Sequence, residues 1–520
     1  MEPGGEQDTL MAHLSSLISR SAAWFGASPA VVDGDRALSF AEVEDRSNRV
    51  ANLLQALTDG PGVRVALLIP NRLELVEIDL GIIKAGFVKV PINTRLKNEE
   101  RAWVVQDSGA TVLLFDGSEE ESAAAVVADV AEPIAMVRVG PGTLGANYED
   151  VLASASGNRV KLRVKAHDPS LILYTSGTTG RPKGATISRA ARLMGTINML
   201  SNEIDPHPGD AMAHVGSMAH GSGSKILAHF VRGSRNIPVA KWNPEGFLAL
   251  AEQQRVTHSF LVPTMIESLV DAAATSQADW TSLSAITYGG APMAPSRLER
   301  ALETIGQRFV QVYGSCEAPH PVLVLNRDDH IAGGERLGSA GRESVGIETR
   351  IVTAQGEVVA EGESGELSVR GPSVMSGYWN NPEATAEVLH DGWYDTGDVV
   401  RRDADGFVHI VDRARDVIIT GGYNVYPAEL EAVLARHTDV LEVAVIGVPD
   451  EYWGESVKAI VVTGRDVPES EILDHCAGLV AGYKRPRSVD FVDVLPKGST
   501  GKVLRRDLRD RYWEGRTRRV

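Results

Sequence analysis

The sequence predicts an α/β protein of at least two domains. Continuous apolar strands alternate with amphipathic helices along the N-terminal part, as in residues 63–69, 72–85 and 87–92. This rhythm is typical of mostly parallel sheets that helices cover on both faces. A chain of 520 residues is also too long for a single hydrophobic core.

The N-terminal elements begin with a predicted hairpin. Residues 30–40 alternate about Asp33-Gly34, which favours a tight turn between two strands. Ser39 and Glu42 fit a capping box, so we expect a helix to begin there. Apolar periodicity then predicts strands at 63–69, 87–92, 111–116, 235–239, 258–262, 284–288 and 308–313, and helices at 72–85, 98–107, 188–200, 223–232, 244–254, 264–273 and 295–305.

The texture of the sequence changes near residue 335. Short strands separated by Gly, Asp and Glu turns predict a β-rich subdomain that ends near residue 411. A smaller α+β unit follows, with helices at 428–436, 468–480 and from Arg505, and strands at 441–447 and 457–463. Since the polar run 412–416 has no apolar face to bury, we expect a large N-terminal domain (1–411), a hinge (412–416) and a small mobile C-terminal domain (417–520).

Composition excludes several partners. A net charge of −17 disfavours duplex nucleic acid and anionic membranes. Two cysteines, Cys316 and Cys476, provide no disulfide framework and fit a reducing compartment. The acidic start lacks the layout of a signal peptide, and no apolar run approaches the roughly 20 residues of a membrane span. We therefore expect a cytoplasmic protein, with no histidine pair at zinc-motif spacing.

One loop stands out by its composition. Apolar residues 171–174 run into Thr-Ser-Gly-Thr-Thr-Gly-Arg-Pro-Lys-Gly, which ends at Gly184. Glycines let backbone approach a polyanion, hydroxyls and N–H groups donate to phosphate oxygens, and Lys183 adds positive charge. Composition alone also allows an ordinary turn, because loops of this kind are common after strands.

The order of these residues is more specific than their composition. It resembles the signature loop of the adenylate-forming enzymes, which include acyl- and aryl-CoA synthetases and the adenylation domains of peptide synthetases. The resemblance implies that the loop binds ATP through Thr175, Ser176, Gly177, Thr178, Thr179, Gly180 and Lys183.

Two further strand ends carry motifs of the same family. Residues 288–292 read Tyr-Gly-Gly-Ala-Pro, and residues 312–317 read Val-Tyr-Gly-Ser-Cys-Glu, close to the family pattern Tyr-Gly-x-Thr-Glu. The resemblance implies that Tyr313 stacks on adenine and that Glu317 holds Mg²⁺ on the ATP phosphates. Cys316 departs from the pattern because a thiol replaces the threonine hydroxyl. The other nucleotide contacts implied here are Gly290, Ala291, Pro292 and Gly314.

Motifs also mark the C-terminal third. Asp398 lies in a Tyr-Asp-Thr-Gly-Asp turn, and with Arg413 it resembles the ribose clamp of the family. The run 412–429 resembles the hinge and following loop of acyl-CoA synthetases. It implies that Arg415, where relatives carry Asp or Lys, is the hinge, and that Gly421 and Gly422 line the CoA tunnel.

The last motif, Leu-Pro-Lys-Gly-Ser-Thr-Gly-Lys at 495–502, resembles the catalytic loop of the family. It implies that Lys502 bridges the substrate carboxylate and the α-phosphate. His220, followed by glycine, would orient or gate the acyl carboxylate. The residues that the resemblance places at the acyl pocket are Asn198, His220, Phe260, Tyr288, Gly289, Val312, Gly314 and His320.

Three functions remain open at this stage. The first is an acid–thiol ligase that forms an acyl-adenylate from MgATP and a carboxylic acid, an aryl or short to medium acyl acid, and transfers the acyl group to coenzyme A. The second is a ligase that loads a carrier-protein phosphopantetheine, and the third is a catalytically inactive relative, for which Cys316 is the only support. Homodimers are common in the family, although the sequence does not show the oligomeric state.

Overall fold

The computed structural model describes residues 14–58, 60, 62–128, 130, 132–162, 164–175, 181–353, 355–413, 416–420, 423–497 and 503–514. The chain forms two compact units. The first contains residues 1–348 and 369–394, and the second contains residues 349–368 and 395–520. The predicted boundary at 412–416 stays a prediction, and residues 414 and 415 lie outside the described residues.

The first unit contains two large sheets. Nine described strands form one sheet, in the order Arg342–Glu343, Leu323–Leu325, Phe309–Tyr313, Ala285–Gly289, His258–Leu261, Ala211–His214, Arg235–Pro238, Pro29–Asp33 and Arg36–Ser39. Eight described strands form the other, in the order Gly377–Tyr378, Gly184–Ser188, Pro169–Tyr174, Val88–Pro91, Arg64–Leu68, Val112–Asp116, Ala135–Val139 and Ala146–Asn147. Both are parallel at their centres and antiparallel towards an edge, which confirms the predicted fold class.

Helices pack against these sheets. The capping box at Ser39 is present, with Glu42 N donating to the Ser39 hydroxyl, and the helix begins at Phe40 as predicted. Every residue of helix Leu73–Ala85 is buried. A Cβ at Gly81 would lie 2.4 Å from Val50 Cγ1, so glycine allows this helix to approach Phe40–Leu57 closely. The described helices of the unit are Leu14–Phe25, Phe40–Leu57, Leu73–Ala85, Asn98–Ser108, Glu120–Ala128, Tyr148–Ser154, Arg189–Asn202, Lys225–Val231, Pro244–Gln254, Pro263–Ala273, Pro295–Ile305, Arg327–Ala332 and Pro382–Val388.

Short strands follow residue 342, as the sequence predicts for a β-rich segment. A third sheet contains Glu348–Val352, Ser364–Arg370, Trp393–Arg402 and Leu389–His390 in that order, with Val408–Arg413 paired to Trp393–Arg402. A fourth sheet in the second unit contains Tyr423–Val425, Ile418–Thr420, Gly454–Thr463 and Val440–Asp450, with Ser488–Phe491 paired to Gly454–Thr463.

Three described helices accompany the fourth sheet: Pro427–Leu434, Glu469–His475 and Arg505–Trp513. The predicted helix 468–480 was too long, since the structure ends it at His475. Gly478 has a φ of +79°, a left-handed conformation that interrupts the helical path. Within the described residues, no helix combines the length and apolar character needed to cross a membrane.

Candidate nucleotide and acyl site

The predicted phosphate loop joins two antiparallel strands. Tyr174 pairs with Gly184 at the ends of strands Pro169–Tyr174 and Gly184–Ser188. Thr175 N donates to Lys183 O at 3.0 Å, so the two ends of the loop are held together. Residues 176–180, which carry five of the predicted phosphate contacts, lie outside the described residues.

A neighbouring helix holds the C-terminal end of this loop. Trp103 Nε1 donates to Pro182 O at 2.9 Å, and the Arg181 guanidinium lies 4.4 Å from the centre of the Trp103 ring. A Cβ at Gly184 would lie 2.7 Å from Ile172 Cγ2 and 3.0 Å from the Tyr174 ring. Glycine is therefore required where the strand after the loop begins.

Tyr378 connects the two charged groups that were predicted to face phosphate and metal. The Tyr378 hydroxyl donates to Glu317 Oε1 at 2.8 Å. Lys183 Nζ lies 5.2 Å from the centre of the same ring. Glu317 is only 9% exposed, and Tyr378 and Lys183 are half-buried. Within the first unit, the structure therefore brings the Lys183 cation to the ring of Tyr378 and the Glu317 carboxylate to its hydroxyl.

Sequence reasoning missed Tyr378. The residue belongs to the short strand Gly377–Tyr378, which pairs with Gly184–Ser188 just after the loop lysine. Met375 N donates to Glu317 O at 2.7 Å, which fixes the approach of this segment to the 312–317 motif. Burial raises the pKa of the Tyr378 phenol, and the Glu317 carboxylate adds to the effect, so the hydroxyl stays protonated and can donate. In the sequence, the only feature that marked Tyr378 was its position directly after a glycine.

The 312–317 motif lies at the end of strand Phe309–Tyr313. The Ser315 hydroxyl accepts from Glu317 N at 3.2 Å and from Ala318 N at 3.0 Å, which shapes the turn that presents Glu317. A Cβ at Gly314 would lie 2.5 Å from His320 N, so only glycine fits here. Val312 is buried, whereas Tyr313 and Cys316 are half-buried.

The 288–292 motif begins in the core and ends at the surface. A Cβ at Gly289 would lie 2.3 Å from Val312 O, and Gly290 has a φ of +82°. Gly290 and Pro292 are exposed and Ala291 is half-buried, so this turn is accessible to a ligand. Both glycines are thus required by the geometry of the strand end.

The prediction that the Tyr288 side chain lines the acyl pocket requires a correction. Successive residues of a strand face opposite sides of the sheet, and Tyr288 shares its face with Ile286 in the core. Its side chain is fully buried, and its hydroxyl lies 3.0 Å from both Gln311 Oε1 and His330 Nε2. Tyr288 therefore stabilises the sheet rather than lining a pocket.

The side chain of Asn198 is also used in hydrogen bonds within the fold. Its side-chain amide donates to Pro321 O at 3.0 Å and to the Ser344 hydroxyl at 2.9 Å. The residue is 6% exposed. Because both amide protons have acceptors within the fold, the predicted polar contact of Asn198 with a substrate is not supported.

The remaining predicted acyl residues lie together. Phe260 and His320 stack with ring centres 5.6 Å apart and an angle of 10° between the planes. The neighbouring Gly221 leaves room for them, since a Cβ there would lie 3.1 Å from the Phe260 ring. His220 Nε2 is buried with no described hydrogen-bond partner, and burial lowers the His220 pKa. The lowered pKa favours the neutral imidazole at His220, and its ligand role stays a prediction.

The predicted ribose clamp lies in the second unit. Asp398 and Arg413 are directly opposed on strands Trp393–Arg402 and Val408–Arg413. Arg413 Nε lies 2.5 Å from Asp398 Oδ1. Asp398 is 5% exposed, and the Arg413 side chain is 39% exposed. The structure therefore brings together two residues that stand fifteen positions apart in the sequence.

Besides residues 176–180, four further predicted functional residues lie outside the described residues: Arg415, Gly421, Gly422 and Lys502. The chain on either side of the lysine loop is described. Lys497 and Val503 form an antiparallel bridge, and Leu504 N donates to Pro496 O at 2.8 Å. The loop that carries Lys502 is thus closed at its base, as the phosphate loop is.

Another group of possible metal ligands occurs in the second unit. His437, Asp439 and Glu471 each offer a ligand atom within 4.8 Å of the others. The Arg465 guanidinium already pairs with Asp439 at 2.8 Å and with Glu471 at 3.2 Å. An arginine that neutralises both carboxylates gives this group a structural role.

Comparison with known proteins identifies the family. Residues 18–379 match the AMP-binding enzyme family, and residues 429–502 match the AMP-binding enzyme C-terminal domain. The chain belongs to this family, and the predicted family, fold class and enzyme class are confirmed.

Relatives of known function span nearly the whole chain. A feruloyl-CoA synthase of Amycolatopsis sp is 40% identical over 487 residues, covering 93% of this chain and 96% of the relative. A fatty acid–[acyl-carrier-protein] ligase, ScoC of Streptomyces coeruleorubidus, is 34% identical over 505 residues and 95% of both chains. ATP-bound MatB of Rhodopseudomonas palustris superposes with a TM-score of 0.87 at 30% identity, covering 97% of this chain and all of MatB.

Proposed function

We propose that this protein is an AMP-forming ligase that activates a carboxylic acid with MgATP and transfers the acyl group to coenzyme A. The observation that carries the proposal is the arrangement of Lys183, Tyr378 and Glu317 beside the closed base of the phosphate loop. The similarity to feruloyl-CoA synthase over 93% of the chain supports an aryl or short to medium acyl acid as substrate.

The chemistry requires a leaving group and charge stabilisation. A carboxylate is a poor electrophile at neutral pH, and adenylation converts it into a mixed anhydride with a good leaving group. Lys183 and Lys502 would offset the negative charge that develops at the phosphates and the carboxylate. His220 would orient the acyl carboxylate, since its buried Nε2 lacks a described partner.

Mg²⁺ fits the residues that would hold it. Glu317 offers a hard carboxylate ligand, one oxygen of which accepts from Tyr378 and is thereby oriented. When bound, Mg²⁺ would neutralise charge on the ATP phosphates. Asp398 would accept from the ribose hydroxyls, with Arg413 holding its carboxylate in place.

We propose further that the small C-terminal domain (417–520) turns about a hinge at 412–416 near Arg415 after adenylation. Gly421 and Gly422 would then admit the thiol arm of coenzyme A, because glycine leaves room beside the backbone. The same cleft would serve both half-reactions.

Loading of a carrier protein is the second candidate. It is favoured by the similarity to ScoC, which spans 95% of both chains. Both acceptors present the same phosphopantetheine thiol, so the site itself does not separate them.

The test is an assay of purified protein with MgATP, a panel of carboxylic acids and free coenzyme A. We expect pyrophosphate release that depends on the acid, followed by an acyl-CoA thioester. Adenylate formation without thioester would favour the carrier protein, and ATP left unconsumed with every acid would refute the proposed function.

A further inference from the structure

Helix Asn98–Ser108 contacts both ends of the predicted phosphate loop. At the C-terminal end of the loop, Trp103 Nε1 donates to Pro182 O at 2.9 Å. At the N-terminal end, the Tyr174 hydroxyl donates to Asp107 Oδ2 at 2.6 Å. Trp103 and Asp107 stand four positions apart, so they project from the same face of the helix. One helical face of the first unit therefore holds both ends of the loop.

The hydrogen bond between Tyr174 and Asp107 has a defined direction. Tyr174 is 8% exposed, and burial raises the pKa of its phenol, with a further contribution from the Asp107 side chain. The hydroxyl therefore keeps its proton at physiological pH. Tyr174 is the donor and a carboxyl oxygen of Asp107 is the acceptor.

The helix that carries the two side chains is itself fixed to the sheet. Val104 and Val105 are 0% exposed and belong to the same hydrophobic cluster as Ile172. Arg64 Nε donates to Ser108 O at 2.9 Å, which satisfies one of the carbonyls left open where the helix ends. Trp103 and Asp107 are thus presented by an element that packs firmly against the sheet.

The backbone around Lys183 is held at three successive positions. Because each hydrogen bond fixes the orientation of one peptide group, the chain is restricted on both sides of Lys183. The Lys183 side chain therefore extends from a fixed Cα towards the ring of Tyr378. Each carbonyl of residues 182–184 accepts a hydrogen bond: Pro182 O from Trp103 Nε1 at 2.9 Å, Lys183 O from Thr175 N at 3.0 Å and Gly184 O from Trp379 N at 2.7 Å.

Two of the contacts that hold the loop depend on the type of amino acid. The donors to Lys183 O and Gly184 O are backbone amides, which every residue except proline supplies. Trp103 and Asp107 act through their side chains. The Arg181 guanidinium also lies 4.4 Å from the centre of the Trp103 ring, so this side chain contacts the end of the loop twice.

We propose that Trp103 and Asp107 are positioning residues for the adenylation half-reaction, which hold the ends of the phosphate loop so that Lys183 meets the ATP phosphates in the productive geometry. Both residues act through the loop, and neither contacts the substrate. A loop held in place before ATP binds loses less conformational freedom on binding, so ATP is used more efficiently. The inference rests on the proposed ligase function.

The first test removes one donor and keeps an aromatic ring. In Trp103→Phe, pyrophosphate release is measured at varied MgATP and at varied acid, with the acid that the native enzyme activates fastest. We expect kcat/KM for MgATP to fall about three- to tenfold, with KM for the acid unchanged. Thioester formation from supplied acyl-adenylate should equal that of the native enzyme, because this half-reaction uses no triphosphate.

The two half-reactions separate positioning from stability. A merely structural role of Trp103 would lower both half-reactions together, and that result would overturn the inference, as would a folded Trp103→Phe enzyme with native kcat/KM for MgATP. Either result leaves the ligase function intact. Absence of pyrophosphate release from the native enzyme with every acid would refute both.

Trp242→Phe is the matched control. Trp242 Nε1 also donates a hydrogen bond, to Ser268 Oγ at 3.1 Å, and its ring packs against the core of the nine-stranded sheet. The phosphate loop joins strands of the eight-stranded sheet. Trp242→Phe should therefore keep the native kcat/KM for MgATP, and a loss equal to that of Trp103→Phe would overturn the inference.

The second test addresses the other end of the loop and does not depend on Trp103→Phe. Tyr174→Phe and Asp107→Ala each remove the same hydrogen bond, so each should lower kcat/KM for MgATP about three- to tenfold. The double variant should be no worse than either single variant, because the bond is already lost. Asp107→Asn keeps an oxygen that accepts from Tyr174 and should retain most of the native value. Losses that add in the double variant would overturn the inference.

Discussion

Tyr378→Phe tests whether Glu317 is a metal-binding carboxylate oriented by a neighbouring phenol. The substitution removes one hydroxyl, which donates to Glu317 Oε1 at 2.8 Å, and leaves the ring that faces Lys183. A hydrogen bond to a charged group contributes about 1.5–3 kcal/mol. Since Tyr378 is half-buried, we take the lower value, and about 1.4 kcal/mol corresponds to a tenfold change in an equilibrium constant.

The assay follows pyrophosphate release as Mg²⁺ is varied at a fixed, saturating ATP concentration. We expect the Mg²⁺ concentration for half-maximal rate to rise about tenfold in Tyr378→Phe, in line with the usual effect of losing a group that orients a metal ligand. The acid concentration needed for half-maximal rate should stay unchanged, because the hydrogen bond described for the hydroxyl goes to Glu317 and not to a predicted acyl residue.

Tyr148→Phe provides a matched control. The Tyr148 hydroxyl also donates to a glutamate, Glu77 Oε1, at 2.7 Å, but this pair is buried and Glu77 lies on helix Leu73–Ala85. We expect Tyr148→Phe to lower stability and leave the Mg²⁺ dependence unaltered. A folded Tyr378→Phe enzyme with native Mg²⁺ dependence, or an equal shift in Tyr148→Phe, would refute the reasoning.

Four further predictions follow from the other groups. Asp398→Asn should raise KM for ATP and reduce the native preference for ATP over 2′-deoxy-ATP, and an unchanged preference would exclude ribose binding by this carboxylate. Lys502→Ala should largely abolish adenylation yet spare thioester formation from supplied acyl-adenylate; equal loss of both half-reactions would contradict that role. Cys316→Thr should retain activity, and complete inactivation would show that the motif is misaligned. Burial raises the pKa of Asp412 from 3.8 to about 6, so the ionised form is disfavoured in the folded state and native stability falls as pH rises from about 4 to 6. In thermal unfolding, Asp412→Asn should therefore gain stability relative to the native protein as pH rises over that range. A stability difference that does not change with pH would argue against this effect.

Much of the fold could be predicted because the spacing of apolar residues indicates which face of each helix or strand is buried. Helices Pro244–Gln254 and Pro295–Ile305 agree with the predicted spans, since apolar spacing and a proline at the start define them. Gly478 shows the limit of this approach, because a pattern of apolar residues does not reveal a left-handed φ that ends a helix early.

The sequence could indicate which candidate site residues lie together where they are close along the chain, but not where they are distant. Asp398 and Arg413 are joined by one hairpin, so a motif of modest length contains both. Tyr378 reaches Glu317 only through an added edge strand, and no local pattern records that pairing. Tyr288 fits the family motif as a sequence, yet the alternation of the strand turns its side chain into the core.

The hairpin that carries Asp398 and Arg413 has a consequence for nucleotide affinity. Cross-strand pairing and the ion pair restrict both side chains before any ligand arrives. Under the proposed function, in which Asp398 holds the ribose, binding should lose little rotamer entropy at these two positions, and such preorganisation would favour slow release of the nucleotide moiety.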